Sequence, residues 1–497
     1  MTLDPILCYR AVQARDARYD GLFFTCVKTT GIYCRPICPA RPPKFENCTF
    51  APTAAAAQEA GFRPCLRCRP ESSPELGAWR GTSATVSRAL SLIEEGALDD
   101  DDVEALAERL GIGERHLRRL FQQHLGAAPI TVAQTRRVLL AKQLIHDTDL
   151  PMTEVALASG FSSLRRFNET FQQLYRRPPS ELRRRAGGKP PASDISLLLS
   201  YRPPYDWDSM IRFLAARALP GLEIVNEGRY SRVVALGGAV GSVEIAHAPA
   251  QSALRALIRF PRLDLLPAII LRIRRLFDLG ADPIAIGTAL SRDAHLAPLV
   301  ATRPGLRLPG AWDAFEIAVR AMLGQQITVK AATRLGGKLV GALGKPIGES
   351  AVKGLTHGFP APDQFDLEIL ARLGMPRTRA AALAALATAA VAEPNLFHRR
   401  GDLDEAVEQL RRLPGIGEWT AQYIAMRALR ESDAFLAGDV AVQRAFEVAG
   451  RRPKPRELLA RAEAWRPWRA YAVLHLWMAE PAPELAAIKE NANALAA

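Results

Sequence analysis

All seven cysteines of the chain (Cys8, Cys26, Cys34, Cys38, Cys48, Cys65 and Cys68) fall within its first 68 residues, and the following 429 positions contain none. Four of them form two close pairs, Cys34-x3-Cys38 and Cys65-x2-Cys68, with 26 residues between the pairs. Such spacing lets two short loops each present two thiolates to one tetrahedral Zn2+. Pro36, Pro39, Pro64 and Pro70 stiffen those loops. The opening Met1-Thr2-Leu3-Asp4-Pro5 places no basic segment ahead of an apolar one, so no secretory signal is expected and disulfides are the weaker reading. Spacing alone favours a closed, purely structural metal site. Cys8, Cys26 and Cys48 fit no ligand spacing and are expected to be small core or surface residues.

A chain of 497 residues is too long for one core, and length alone predicts about three domains. With 48% hydrophobic and 24% charged residues, wholesale disorder and a collagen-like or disulfide scaffold are excluded. The apolar run Leu265–Leu271 contains Pro267, and the Ala-rich segment Ala380–Ala392 is only weakly hydrophobic. Neither reaches the roughly 18 residues of a membrane span, and a cytoplasmic, nucleoid-associated bacterial protein is expected. Sixty-five Lys and Arg against 52 Asp and Glu leave a net charge of +13, which favours a polyanionic partner.

The runs Thr29-Thr30-Gly31-Ile32-Tyr33-Cys34-Arg35-Pro36-Ile37-Cys38 and Ala60-Gly61-Phe62-Arg63-Pro64-Cys65-Leu66-Arg67-Cys68 resemble the N-terminal zinc domain of the Ada alkylation-response regulators. That resemblance implies one Zn2+ on Cys34, Cys38, Cys65 and Cys68, with Cys34 accepting a methyl group from a methylated DNA phosphate in a single turnover. The chemistry is coherent, because zinc keeps thiols deprotonated and the thiolate is the nucleophile. Four thiolates on one Zn2+ carry −2, which repels phosphate but not a neutral methyl phosphotriester. Methylation leaves −1, an irreversible charge switch that strengthens DNA binding.

Pro70–Pro74 reads as a linker, followed by a helical stretch with Val86, Leu90 and Ile93. Two segments then repeat an Ala-x3-Gly pattern, at Ala107–Gly111 and Ala156–Gly160. A small residue where two helices touch and a glycine in the turn mark helix-turn-helix units. Basic amphipathic helices are expected after each, over Glu114–Gln123 and Ser163–Gln173. The ending Gly160-Phe161…Phe167…Phe171…Tyr175-Arg176-Arg177-Pro178-Pro179 resembles the AraC-type DNA-binding domain. Its expected DNA contacts are Arg115, Arg118 and Arg119 in the first unit and Arg165, Arg166 and Asn168 in the second. Over Val103–Arg185, 14 basic against 8 acidic residues support DNA contact without defining sequence choice.

Ala186–Ser193 reads as a flexible linker, β-like runs occur at Ile195–Ser200 and Val233–Leu236, and from about 283 the pattern is helical. Leu413-Pro414-Gly415-Ile416-Gly417 before Glu418-Trp419-Thr420-Ala421 reads as a hairpin between two helices. Gly415 and Gly417 let backbone approach a phosphate, and the helix N-terminus supplies free N–H groups. Asp439 follows 22 residues after Gly417. Hairpin and downstream Asp, with Tyr205-Asp206-Trp207, Phe213–Ala218, Arg303–Gly310 and Arg466-Pro467-Trp468-Arg469, resemble the AlkA-type 3-methyladenine DNA glycosylases of the helix-hairpin-helix superfamily.

That resemblance makes Asp439 the catalytic carboxylate and Trp419, Tyr423 and Trp477 an aromatic base pocket suited to a cationic purine. Trp419 stands where lyase-type relatives carry a Schiff-base Lys, so a monofunctional glycosylase without strand cleavage is expected. Gln326 stands where an apolar wedge is usual, and Met478 replaces an aromatic residue. A monovalent cation at the hairpin carbonyls is expected by analogy.

The expected architecture is multidomain and mostly α. It comprises a small zinc-bound α/β domain over 1–78, an all-α double helix-turn-helix domain over 82–186 and a linker over 187–196. A TATA-binding-protein-like α+β domain over 197–282 and an all-α helix-hairpin-helix glycosylase domain over 283–487 follow. The expected function is an alkylation-damage sensor, transcriptional activator and DNA repair enzyme. Its partners are alkylated and promoter double-stranded DNA and RNA polymerase, with no membrane. The competing reading is a DNA-binding regulator with a structural zinc, whose glycosylase fold recognises damage without turnover.

Overall fold

The computed structural model describes residues 3–74, 84–99, 101–183, 194–348, 352–393, 395–397, 402–448 and 450–479. These residues are mostly helical, with one four-stranded and one five-stranded sheet. They form two compact units. The first comprises Met1–Pro203, Ala218–Asp282 and Gly344–Phe359, and the second Pro204–Arg217, Pro283–Leu343 and Pro360–Ala497. The units therefore interleave along the chain, which passes from the first to the second at Asp282–Pro283 and also crosses between them elsewhere. The physical reason lies in two excursions. The helix Trp207–Ala215 packs with the second unit, where the Arg217 carbonyl accepts from Arg320 at 3.1 Å. Residues 344–359 return to the first unit, where Thr356 N–H bonds the Gly221 carbonyl at 2.7 Å.

In the first unit, β1 (Phe24–Val27), β2 (Ile32–Cys34), β3 (Cys48–Ala51) and β4 (Arg63–Pro64) pair in the order β3-β1-β2-β4. β1 is antiparallel to both neighbours, whereas β2 and β4 are parallel with Tyr33 opposite Pro64. The next residue on each strand is a cysteine, so parallel register sets Cys34 beside Cys65. Tyr33 is fully buried and packs edge-on against Phe24 at 5.5 Å. Cys8, Cys26 and Cys48 are all buried, and burial pushes the Cys26 thiol up to about 12, which marks it as a core residue and not a nucleophile.

Six helices follow, Ala84–Glu94, Val103–Arg109, Glu114–Leu125, Pro129–Asp147, Met152–Ala158 and Leu164–Tyr175. The last is capped by Ser163, whose hydroxyl accepts from Arg166 N–H at 3.2 Å. It buries Phe167, Phe171 and Tyr175, one helical turn apart, with ring centroids at 4.8 and 5.4 Å. Ala107 and Ala156 are buried where the paired helices touch. Gly160 takes φ +82°, and a Cβ there would come within 3.0 Å of the Asp99 carboxylate.

The Pro70–Pro74 segment corrects its reading as a linker. It forms a short 3-10 turn, Pro70–Ser72, and the Glu71 side chain is wholly buried against Lys142, also wholly buried, at 2.7 Å. Pro and Ser report the absence of regular structure, which is a different property from exposure. Lys142 donates a second bond to the Cys65 carbonyl at 3.0 Å, and Arg69 bridges Glu71 at 3.1 Å and Asp147 at 2.8 Å. The second expected linker, up to Ser193, lies outside the described residues.

The five strands β5 (Ile195–Ser200), β6 (Glu223–Asn226), β7 (Arg229–Leu236), β8 (Ala239–Ala248) and β9 (Ala253–Arg259) form an antiparallel sheet in the order β5-β9-β8-β7-β6. β5 begins at Ile195, two residues inside the expected linker. Cross-strand pairs Leu197–Ala256 and Leu199–Leu254 put one buried face together, as the alternation requires. In the second unit the described regular elements are helical. Among all described residues, no helix is long and apolar enough to cross a membrane.

Candidate functional sites

The four paired cysteines converge, with all sulfurs within 4.8 Å of one another. Tetrahedral Zn–S bonds of about 2.3 Å put sulfurs about 3.8 Å apart, so the set fits a four-thiolate zinc site. Backbone N–H groups already point at two of the sulfurs, from Arg35 to Cys68 Sγ at 3.4 Å and from Arg67 to Cys65 Sγ at 3.3 Å. The crowded thiols do not ionise alike. Hydrogen bonding from Cys34 and then Cys38 holds Cys65 far below the usual thiol range, while Cys38 and then Cys65 push Cys34 far above it. A divalent cation is what lets such a set ionise together. Arg35 ties the two loops, bonding the Cys68 carbonyl at 3.2 Å, Ser72 Oγ at 2.7 Å and the Asp20 carboxylate. Cys34 is partly exposed, whereas Cys65 and Cys68 are buried.

On the helices Glu114–Leu125 and Leu164–Tyr175, Arg115, Arg118, Arg119, Arg165, Arg166 and Asn168 are all exposed. Two of these arginines are held by their own helix, Arg118 on Glu114 at 2.5 Å and Arg165 on Glu169 at 2.8 Å. DNA contact by either exchanges an intrahelical carboxylate for a phosphate or base edge.

The hairpin joins helices Leu403–Arg411 and Glu418–Arg427. Gly415 has φ +79°, and a Cβ would lie 2.8 Å from Ala382. Both conditions demand glycine there. Gly417 is exposed and caps the following helix without a side-chain partner, leaving its first N–H groups outward. Gln325 fastens the hairpin, donating from Nε2 to the Gly415 carbonyl at 2.8 Å and to Thr420 Oγ1 at 3.0 Å. Gln326 beside it is exposed and adopts φ +60°, a left-handed conformation uncommon for a residue with a Cβ.

Helix Glu418–Arg427 carries Trp419 and Tyr423 one turn apart, stacked at 5.2 Å with an interplanar angle of 11°. Tyr423 meets Trp477 of helix Arg469–Ala479 at 6.4 Å. Asp439 caps helix Val440–Ala445, its Oδ1 accepting from Ala441 and Val442 N–H at 3.0 and 3.1 Å. Both indoles also donate to it, Trp477 Nε1 to Oδ1 at 3.0 Å and Trp419 Nε1 to Oδ2 at 2.9 Å. The carboxylate therefore accepts four hydrogen bonds, three of them on Oδ1. The expected site residues Asp439, Trp419, Tyr423 and Trp477 thus come together, but the two indoles spend their polar edges on the carboxylate.

Sequence reasoning assigned no role to Arg427. It lies one turn beyond Tyr423, is 4% exposed, and donates to the Tyr423 hydroxyl at 2.6 Å and the Gly310 carbonyl at 3.0 Å. Its guanidinium also sits 5.0 Å from the Phe213 ring centroid. The i, i+4 spacing of Tyr423 and Arg427 was the available signal.

Comparison with known proteins matches three family models: the metal binding domain of Ada over residues 7–71, a helix-turn-helix domain over 106–185 and the AlkA N-terminal domain over 196–313. A "Probable bifunctional transcriptional activator/DNA repair enzyme AlkA" of Mycobacterium tuberculosis is 43% identical over 476 residues, 95% of either chain. The "DNA-3-methyladenine glycosylase 2" of Escherichia coli is 37% identical over 285 residues, covering 57% of this chain and 96% of its own. Among solved structures, a 3-methyladenine DNA glycosylase from Archaeoglobus fulgidus shares the fold over 56% of this chain and 97% of its own, with TM-score 0.50 and 22% identity.

Proposed function

The chain belongs to the family of bifunctional transcriptional activator/DNA repair enzymes, and on that premise we propose that it removes N-alkylated purines hydrolytically through Asp439 and records phosphate methylation on Cys34. The observation that carries the first part is a carboxylate fixed by four donors beside three clustered aromatic rings.

An N-alkylated purine is already cationic, so it leaves without a strong general acid. The flipped base enters among Trp419, Tyr423 and Trp477, where a cation gains attraction from the ring faces. As the C1′–N bond breaks, its electron pair neutralises the departing base and positive charge develops on the sugar. The Asp439 carboxylate stabilises that charge, and a water adds to C1′ and gives up its proton. Trp419 offers no amine for a Schiff base, so the product is an abasic site with the strand intact. Gly415 and Gly417 hold the flanking phosphate through backbone N–H groups, and Gln326 fills the gap in the stack. A monovalent cation at the hairpin would be held by its backbone carbonyls, and the Gly415 carbonyl already accepts one bond from Gln325. Asp439→Asn is expected to abolish release of 3-methyladenine from alkylated DNA while DNA binding persists. Unchanged release sinks the assignment.

At the N-terminal cluster, Cys34, Cys38, Cys65 and Cys68 would hold Zn2+, which when bound would keep their sulfurs deprotonated. The Cys34 sulfur forms a bond to the methyl carbon of a phosphotriester as the methyl–oxygen bond breaks, leaving an anionic phosphodiester. The alkylated cluster carries one negative charge fewer and repels DNA less. Arg115, Arg118, Arg119, Arg165, Arg166 and Asn168 then hold promoter DNA, and the chain recruits RNA polymerase on the nucleoid in the cytoplasm. Peptide mass spectrometry after incubation with methyl-phosphotriester DNA is expected to find one added methyl, on Cys34. No methyl on any of the four cysteines returns the zinc to a structural role.

A further inference from the structure

The Tyr423–Arg427 pair carries a consequence for the aromatic site that its stacking geometry does not. A phenol oxygen has one O–H to donate and lone pairs to accept, whereas a guanidinium only donates. At 2.6 Å, Arg427 therefore makes the Tyr423 oxygen an acceptor, and the phenolic proton must point elsewhere. Among the described residues that proton has no acceptor, and Tyr423 is only partly buried. Arg427 cannot swing away, because it is 4% exposed and its other nitrogen is bonded to the Gly310 carbonyl at 3.0 Å. The Tyr423 ring cannot tilt freely either, being stacked on Trp419 at 11°.

We propose that Arg427 is a positioning residue that turns Tyr423 into a fixed hydrogen-bond donor, aimed at a ring nitrogen or carbonyl oxygen of the base held among the aromatics. The inference rests on the glycosylase reading of this site. As the glycosidic electron pair flows into the departing base, its acceptor atoms gain electron density and the bond from Tyr423 shortens. The contribution is thus made chiefly in the transition state. It is larger for a neutral base, which leaves as an anion, than for a cationic one, which leaves neutral. Tyr423 and Arg427 accordingly extend the enzyme toward uncharged lesions that cation–π attraction alone does not serve.

The test is single-turnover release from duplex oligonucleotides carrying either hypoxanthine, a neutral base with ring-nitrogen and carbonyl acceptors, or cationic 7-methylguanine. Tyr423→Phe and Arg427→Met are expected to slow hypoxanthine release about tenfold or more, the scale of one hydrogen bond to a developing charge. Release of 7-methylguanine should fall several-fold less than release of hypoxanthine in each variant. Arg427→Lys, which keeps a donor cation, should recover most of the hypoxanthine rate. The double variant Tyr423→Phe/Arg427→Met should be no slower than Tyr423→Phe alone. Equal losses on both bases, additive losses in the double variant, or release of 7-methylguanine but no hypoxanthine by the unaltered protein would overturn the donor role. Tyr423→Phe keeps the test decisive even if Arg427→Met fails to fold. An unaltered protein that releases neither base fails the glycosylase reading itself.

Discussion

Trp419 and Trp477 present two separable functions, since an indole can both stack through its face and donate through its edge. Trp419→Phe and Trp477→Phe keep an aromatic ring but delete the N–H groups that reach Asp439 at 2.9 and 3.0 Å. A hydrogen bond to a charged group contributes about 1.5–3 kcal/mol, and about 1.4 kcal/mol is a factor of ten. If the indoles hold the carboxylate where charge develops on the sugar, each variant should lower the single-turnover rate of 3-methyladenine release by roughly 10- to 100-fold. Trp419→Phe should cost more, because Trp477 shares Oδ1 with two backbone donors, while among the described residues Oδ2 accepts from Trp419 alone. The half-saturating enzyme concentration should stay within about threefold, because the retained ring still stacks on the base. An unchanged rate with weakened saturation would refute the reasoning and leave the indoles as stacking surfaces only.

Lys142→Met strips the partner from the buried Glu71 carboxylate and should destabilise the first unit by about 3–5 kcal/mol, read as a lower denaturant midpoint. Adding Glu71→Leu should recover most of that loss, and a single-variant cost below about 1 kcal/mol counts against a fully desolvated pair. His475 is buried, and burial followed by the Arg303 charge pulls its pKa from 6.5 down to about 4. The unfolded state therefore binds the extra proton, so stability is full above pH 6.5 and falls as the pH drops toward 4, by about 3 kcal/mol in all. His475→Leu should flatten that slope in acid titrations followed by fluorescence, and an unaltered slope removes His475 as its source. Arg165→Gln should reduce the slope of log affinity against log salt by about 1 if Arg165 meets a phosphate, and by nothing if it stays on Glu169.

Much of this molecule was legible in short-range pattern. Cysteine spacing marks the metal cluster, a four-residue aromatic period marks the second helix-turn-helix core, and a short β-like run marks β5. Local pattern failed wherever the partner is distant in sequence. Glu71 sits in a Pro/Ser-rich stretch that signals only irregular backbone, and Lys142, 71 residues later, turns it into a buried ion pair. The interleaving of the two units is equally silent, because an excursion such as Pro204–Arg217 leaves no composition break where the chain changes company. Gln326 lacks any mark of its φ of +60°, since glycine or asparagine is what a left-handed position ordinarily displays.

Asp439 shows where this division falls within a single residue. Gly438-Asp439-Val440 at the start of a helix is an ordinary capping signal, and it accounts for the bonds from Ala441 and Val442. A capping Asp of this kind is common and chemically inert. What separates Asp439 from such caps is donation from Trp419 and Trp477, 20 and 38 residues away on other helices. The cap and the Trp477 indole hold one oxygen, and the Trp419 indole holds the other. If Asp439 acts as proposed, a carboxylate that stabilises a short-lived cation must already be in place when charge appears, and the four bonds act as one device. On that reading the aromatic residues are as much a part of the carboxylate's preorganisation as of the base's pocket, which is why replacing them by other aromatics, and not by alanine, is the informative change.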